Sequence, residues 1–293
     1  MFTKRALWIL ILSTLTPIVS AAQGLDTKSV DQALGRSGQK TGEVYRIGFP
    51  RTDLQVTVAG VPIKPGLALG SWAAFSGSDA SAFVMGDLVL LESEVNPVMV
   101  KLRAAGFEIT AVHNHLLNES PQVLYIHYLG QGSAEELARS LRAALSLSKT
   151  PLGAPATPAA ASPSSPAFVK TIEDALGRKG QFNGGVLAFG IPRTETITEG
   201  GMTLTPPQGV AESINFQEAT SGQVATTGDF VLTAEEVNPV ISALEQHSIQ
   251  ITALHSHMLT EQPRLFFMHF WAAGETEAVA QGIKAALTHI ATK

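Results

Sequence analysis

Cysteine is absent from the 293 residues, which removes disulfides, thiolate metal ligands, cysteine nucleophiles and the acceptor for an N-terminal lipid. Any metal held here has nitrogen and oxygen ligands, a donor set that suits Zn, Mn, Fe, Ni or Cu(II). Charge is sparse too: 15% of residues are charged, with 20 Lys and Arg against 25 Asp and Glu and a formal net charge of −5. No cluster of cations is present to neutralise phosphates, so nucleic acid is excluded as a partner. Phosphate-binding loops, dinucleotide fingerprints and nucleophile motifs are missing as well. Long apolar runs are also lacking. The run from Ala6 to Ile18 is shorter than the roughly 20 residues that span a bilayer. With Lys4-Arg5 before it and Val19-Ser20-Ala21-Ala22 after it, the run has the layout of a secretory signal peptide. Residues 1–22 are therefore expected to be removed, leaving an exported chain, periplasmic or extracellular, with no stable membrane span. Losing Lys4 and Arg5 moves the net charge from −5 to −7.

What the chain does have is histidine in one pattern, twice. Ala111-Val112-His113-Asn114-His115-Leu116-Leu117-Asn118-Glu119-Ser120-Pro121 is followed by Val123-Leu124-Tyr125-Ile126-His127. Displaced by 142 positions, Ala253-Leu254-His255-Ser256-His257-Met258-Leu259-Thr260-Glu261-Gln262-Pro263 precedes Leu265-Phe266-Phe267-Met268-His269. Six of the eight histidines fall in these triads. His247 and His289 have no counterparts in the first copy and read as surface residues.

Apolar and β-branched residues from Ile109 to Leu117 and from Val123 to Gly130 predict two strands joined by a five-residue turn. If Leu117 pairs with Val123, His113 faces His127 directly and Tyr125 faces His115. His115 shares the face because side chains alternate along a strand. Cross-strand partners lie about 5 Å apart and diagonal ones about 7–8 Å apart, close enough for three imidazoles to close around one ion. His113, His115 and His127 are thus candidate metal ligands in the first copy, with His255, His257 and His269 in the second and zinc the favoured metal. Glu119 and Glu261, in the turns, are candidates for a fourth ligand or a catalytic base.

The flanking blocks repeat as well. Strands ending in Pro50-Arg51 and Pro192-Arg193 carry arginines that read as surface residues. Gly86-Asp87 and Gly228-Asp229 lead into Glu94-Val95-Asn96-Pro97 and Glu236-Val237-Asn238-Pro239. Asn followed by Pro predicts a helix start at Asn96 and Asn238. Asp87, Glu94 and their counterparts are candidate functional carboxylates, with strand-end and helix-start roles the favoured reading. Ser133-Ala134-Glu135-Glu136 has capping-box spacing before a helix with Leu137, Leu141 and Leu145 on one face. Residues 150–166, almost all Pro, Ala, Ser, Thr and Gly, read as a solvated linker.

The expected organisation is a signal peptide at 1–22, repeat domains at 24–149 and 167–293, and the linker between them. Each domain is expected to be α+β, an antiparallel-rich sheet with packed helices, and the two are expected to behave as tethered beads able to dock through their sheets. The Gly-Asp strand, Glu-Val-Asn-Pro helix start, His-x-His-x-x-x-Glu turn and following His resemble the LppY/LpqO family of exported bacterial proteins, a family of unknown function. That resemblance implies location and tandem organisation but no chemistry. The His-x-His-x-x-x-Glu spacing also resembles the first metal motif of cupins, in a different strand context.

Three functions follow. Each repeat binds a divalent metal in a cell-envelope binding or metal-handling role; or His-bound metal and a Glu base hydrolyse an extracytoplasmic substrate; or a hydrogen-bonded histidine cluster supports a metal-free module that binds an envelope component or a small molecule.

Overall fold

The computed structural model describes residues 24–153, 166–220 and 222–293. The expected signal peptide and most of the expected linker lie outside them. Each repeat is α+β, built on a six-stranded antiparallel sheet. From edge to edge the first sheet runs Gln39–Thr41, Val44–Pro50, Gly70–Gly77, Ala82–Leu91, Val123–Gly132 and Glu108–His113. The second runs Gln181–Asn183, Val186–Pro192, Ala211–Thr220, Gln223–Leu232, Phe266–Glu275 and Gln250–His255 in the same order.

In both sheets the strand that carries the third histidine is inserted between the strand before the helix Glu92–Ala104 (or Ala234–Gln246) and the strand after it. The histidine strand therefore lies inside the sheet, with neighbours on both sides. Three helices cover one face of the first sheet. Val30 and Leu34, Val98 and Leu102, and Leu137, Leu141 and Leu145 pack on Ile47, Phe75, Leu88, Leu90 and Ile126.

The opposite face explains why these strands are apolar on both sides, a pattern of sheets buried on both faces. Phe83, Met85 and Leu129 pack with Val210, Val231, Met258 and Phe267 of the second domain. Val56, Leu67, Leu116 and Tyr125 pack with Val186, Ala225 and Trp271. The domains are thus docked sheet face to sheet face instead of lying apart as tethered beads. Thr110 donates to the His257 carbonyl (2.5 Å) and Thr252 to the His115 carbonyl. These two bonds exchange equivalent residues, so the interface has the self-complementary form of a two-fold dimer within one chain.

Several local expectations are corrected. The helices start at Glu92 and Ala234, so Asn96 and Asn238 lie inside them and Pro97 and Pro239 are not at the first position. Glu94 and Glu236 close the helix starts instead, accepting from the Leu91 and Thr233 amides at 2.9 and 2.7 Å. Arg51 and Arg193 are buried. Arg51 forks onto Asp53 at 2.9 Å, reaches Glu94 at 2.8 Å and donates to the Val89 carbonyl, tying a strand end to a helix start. Ser133 precedes its helix without a side-chain cap bond. The stretch from Leu54 to Val61 is largely loop. Ala59 and Gly60, both at positive φ, turn Thr57–Val58 back onto Val61–Pro62. His247 and His289 are exposed, as expected.

Candidate functional site

The first histidine strand ends at His113, earlier than the sequence predicts, because the chain leaves the sheet at Asn114 and Glu119–Ser120 pairs with Thr57–Val58. The register also slips by two: His113 faces Tyr125, and His127 faces Ala111. His255 likewise faces Phe267, and His269 faces Ala253. A slip of two keeps the side chains on the predicted face. His115 and His257, in the loops beyond the strands, lie on Tyr125 and Phe267, with ring centroids 3.3 and 3.4 Å apart.

The two triads meet as one cluster. His113 stacks on His255 (3.5 Å between centroids), His115 on His269 (3.7 Å) and His127 on His257 (3.7 Å). Each pair joins the two domains, and the second and third exchange under the pseudo-two-fold. Sets of ligand atoms within 4.8 Å of one another are His113, His115 and His269; His113, His127 and His257; His255, His257 and His269; and Asp87, His115 and His127. Two of these sets draw on both repeats and two lie within one. The predicted triad His255, His257 and His269 is among the latter, whereas His113, His115 and His127 enter sets with Asp87 or with histidines of the second repeat.

All six Nε2 atoms are buried and have no hydrogen-bond partner. The other ring nitrogen is often tied to backbone: Nδ1 of His113 to the Asn114 carbonyl (3.1 Å), of His255 to the Ser256 carbonyl (3.2 Å) and of His269 to the Gly228 carbonyl (2.8 Å). His127 is bonded in the same way to Gly86. An Nδ1–H that donates to a carbonyl leaves the lone pair on Nε2, the tautomer a metal requires. Burial holds the rings neutral, lowering His113 to about 3 and His255 to about 4, with neighbouring imidazoles adding to the shift at His113. The other four are also pushed well down by burial and by one another.

Sequence reasoning assigned Asp87 to a strand end. It lies within Ala82–Leu91, paired directly with His127, as Asp229 is with His269. Asp87 Oδ2 is 3.8 and 3.9 Å from Nε2 of His115 and His127. Asp229 is 3.4 and 3.9 Å from His257 and His269. Burial raises both carboxyls well above the usual range, and one oxygen of each has no partner. The available signal was an acid after glycine in a buried strand, present in both copies, and in the first copy set among apolar residues alone. The preceding glycine has its own reason. A Cβ at Gly86 would meet the Trp72 carbonyl at 2.2 Å, and one at Gly228 the Ser213 carbonyl at 2.0 Å. Each Gly-Asp pair thus admits a close neighbouring strand, offers its carbonyl to a histidine Nδ1 and aims a carboxylate at the cluster.

Glu119 and Glu261 join none of the ligand sets. Glu119 accepts from the Val123 amide at 3.0 Å, and burial raises its carboxyl to about 7. Glu261 accepts from the Leu265 amide (3.0 Å) and pairs with Arg264 (3.1 Å). Both carboxylates fasten the loop to the strand that follows.

Beside the cluster is a cavity of about 300 Å³ between the domains, lined by His115, His127, His257, His269, Asp87 and Asp229 together with Arg46, Trp72 and polar residues of the second domain. A donor set of imidazoles and carboxylates next to an open volume can hold a divalent ion and leave a position for water or a ligand.

The family model for Domain of Unknown Function (DUF1259) matches residues 28–147 and again 170–289. The chain belongs to this family as two tandem copies. No curated protein matches it. Among solved structures, it is similar to the trimeric bacterial microcompartment shell protein PduB (10% identity, 86% of this chain and 89% of that one, TM-score 0.21). It is also similar to EtuB from Clostridium kluyveri (7%, 86% and 88%, TM-score 0.19) and to TP0453 (12%, 87% and 96%, TM-score 0.19). TM-scores this low carry no structural argument. Among the described residues no helix is long and apolar enough to cross a membrane.

Proposed function

We propose that the histidine cluster between the two domains binds a divalent transition metal, zinc foremost, and that the protein serves a binding or metal-handling role in the cell envelope. The observation that carries this reading is six buried Nε2 atoms without partners, four of the rings having Nδ1 tied to backbone. Buried polar atoms are otherwise almost always paired, and a cation supplies the missing partner for imidazoles and carboxylates together. Export, to a periplasmic or extracellular location, is supported by the signal-like segment from Lys4 to Ala22, and the repeat motifs support placement in the LppY/LpqO grouping.

The test is elemental analysis of the mature protein, isolated from its native compartment without a metal-binding tag, beside a His113→Ala/His255→Ala variant. The reading expects one transition metal bound by the wild type and lost from the variant. A metal-free wild type that also fails to take up zinc in titration would overturn it.

The cavity favours a second reading, metal-dependent hydrolysis. In that case Asp87 or Asp229, which line the cavity, takes the base's role that the sequence assigned to Glu119 and Glu261. A zinc-loaded chain without activity on ester, amide or phosphoester panels would leave the binding role.

A further inference from the structure

The cavity is not symmetric, and its asymmetry is chemical. At the position of Arg46 the second repeat has Ala188. Trp72, paired with Asp87, is replaced by Ser213, paired with Asp229. The Arg46 guanidinium lies over the Trp72 ring, 3.8 Å from its centroid, and one of its Nη atoms donates to the Pro207 carbonyl. Among the described residues no carboxylate lies within ion-pair distance of it. Asp87 acts on it only at longer range. Guanidinium carries five N–H donors in a fixed plane. The Pro207 bond uses one, and the indole fixes the plane without consuming donors. The remainder face a cavity whose opposite wall offers Ser213, Asn215 and Thr227.

A partly buried arginine without a paired anion, stacked in place at the wall of a cavity, matches the fork that recognises carboxylate or phosphate groups bidentately. A volume of about 300 Å³ is at the lower end of the range for small-molecule pockets, which suits a small metabolite-sized anion and not a polymer. We infer that the cavity receives a small oxyanion whose acidic group is held by Arg46 while its other end faces the histidines and Asp87. The facing of the far end rests on the metal reading. The Arg46 contact stands without it.

The experiment titrates malonate and, separately, inorganic phosphate into the full chain by calorimetry, once zinc-loaded and once stripped with chelator, for wild type, Arg46→Met and Ser213→Phe. The expected result is binding of at least one probe by wild type, weakened about tenfold or more in Arg46→Met, with zinc content unchanged. Malonate and phosphate separate a carboxylate ligand from a phosphate one. Wild type that binds neither probe, or Arg46→Met that binds as tightly as wild type, overturns the inference. If Arg46→Met fails to fold, Ser213→Phe decides. It fills the cavity from the opposite wall with Arg46 intact, so lost binding supports the cavity and unchanged binding refutes it. Zinc-free wild type with Arg46-dependent anion binding would sink the metal reading and leave the anion site standing.

Discussion

Beside Asp87 the first domain places Arg46 and Trp72, whereas the second has Ala188 and Ser213 at the corresponding positions. The histidines, the aspartates with the glycine before each, and the buried arginine networks recur in both. The cavity wall does not. Both sides of the two-fold interface thus keep the histidines and the aspartate, while one side alone carries a cation and an aromatic platform. The lesson is that the repeats are equivalent as ligand donors and unequal as walls of a binding space.

The largest test of that equivalence concerns the buried arginines. Arg51→Met leaves Glu94 buried without its partner, and Arg193→Met does the same to Glu236 and to Glu212, whose carboxyl burial already raises to about 8. Removing one member of a buried pair costs about 3–5 kcal/mol, so both variants should melt well below wild type in calorimetry, Arg193→Met at least as low as Arg51→Met. A negligible change in either would break the equivalence of the two networks.

Next are the apolar residues that flank the cluster. Leu116 and Met258 occupy equivalent loop positions and are both buried against the opposite domain or its edge. Truncation to Ala should cost about 2–4 kcal/mol each by denaturant unfolding. If the domains unfolded in two separate transitions, each sensitive to only one variant, the docking interface would contribute little to stability.

The aspartates sharpen the asymmetry. Asp87→Asn and Asp229→Asn should each weaken zinc binding by about 10–100-fold in competition titration, the usual effect of removing a group that supports a metal site. Only Asp87→Asn also takes the nearest counter-charge from Arg46, so its metal-free form should melt lower than that of Asp229→Asn. Equal melting temperatures would argue that Arg46 is already balanced by something else.

The smallest effect is with acid. Burial alone would raise Glu195 and Glu236, but the hydrogen bonds and charge of Arg193 together with backbone amides outweigh it and hold both below the ordinary 4.5. Carboxyls lowered in the folded state contribute stability that is fully present above pH 4.5 and is lost as the pH falls through their folded values. The six histidines that burial keeps neutral already cost stability as the pH falls below 6.5, where the unfolded chain takes up protons. The carboxyls therefore add a further decline in melting temperature below pH 4.5, one that should be shallower in Arg193→Met. An unaltered acid limb in that variant would remove the network from the account.

Much of this was legible in the sequence. The repeat, the α+β class and the common face of His113, His115 and His127 follow from spacing and alternation, and a register slip of two preserves that face. Helix starts were misplaced because Asn-Pro imitates a cap, whereas Glu94 and Glu236, the third residues of their helices, close the starts. The arginines after Pro50 and Pro192 looked superficial because their partners at 94 and 236 are distant in sequence. Docking through the sheets was left open by the sequence, because the composition of a linker says nothing about what it joins. Its trace was in strands such as Ala82–Leu91, apolar on both faces except at Asp87. That exception was the missed site residue.

The central claim is that one cluster draws its ligands from both domains. It is tested most directly by zinc titration of a His255→Ala/His257→Ala/His269→Ala variant, with His113, His115 and His127 intact and folding verified by circular dichroism. The account predicts that zinc affinity falls by about tenfold or more, because both sets that draw on the two domains lose a member and only the set of Asp87, His115 and His127 keeps all of its own. Retention of half the wild-type zinc at undiminished affinity would mean that each repeat closes its own site, and would contradict it.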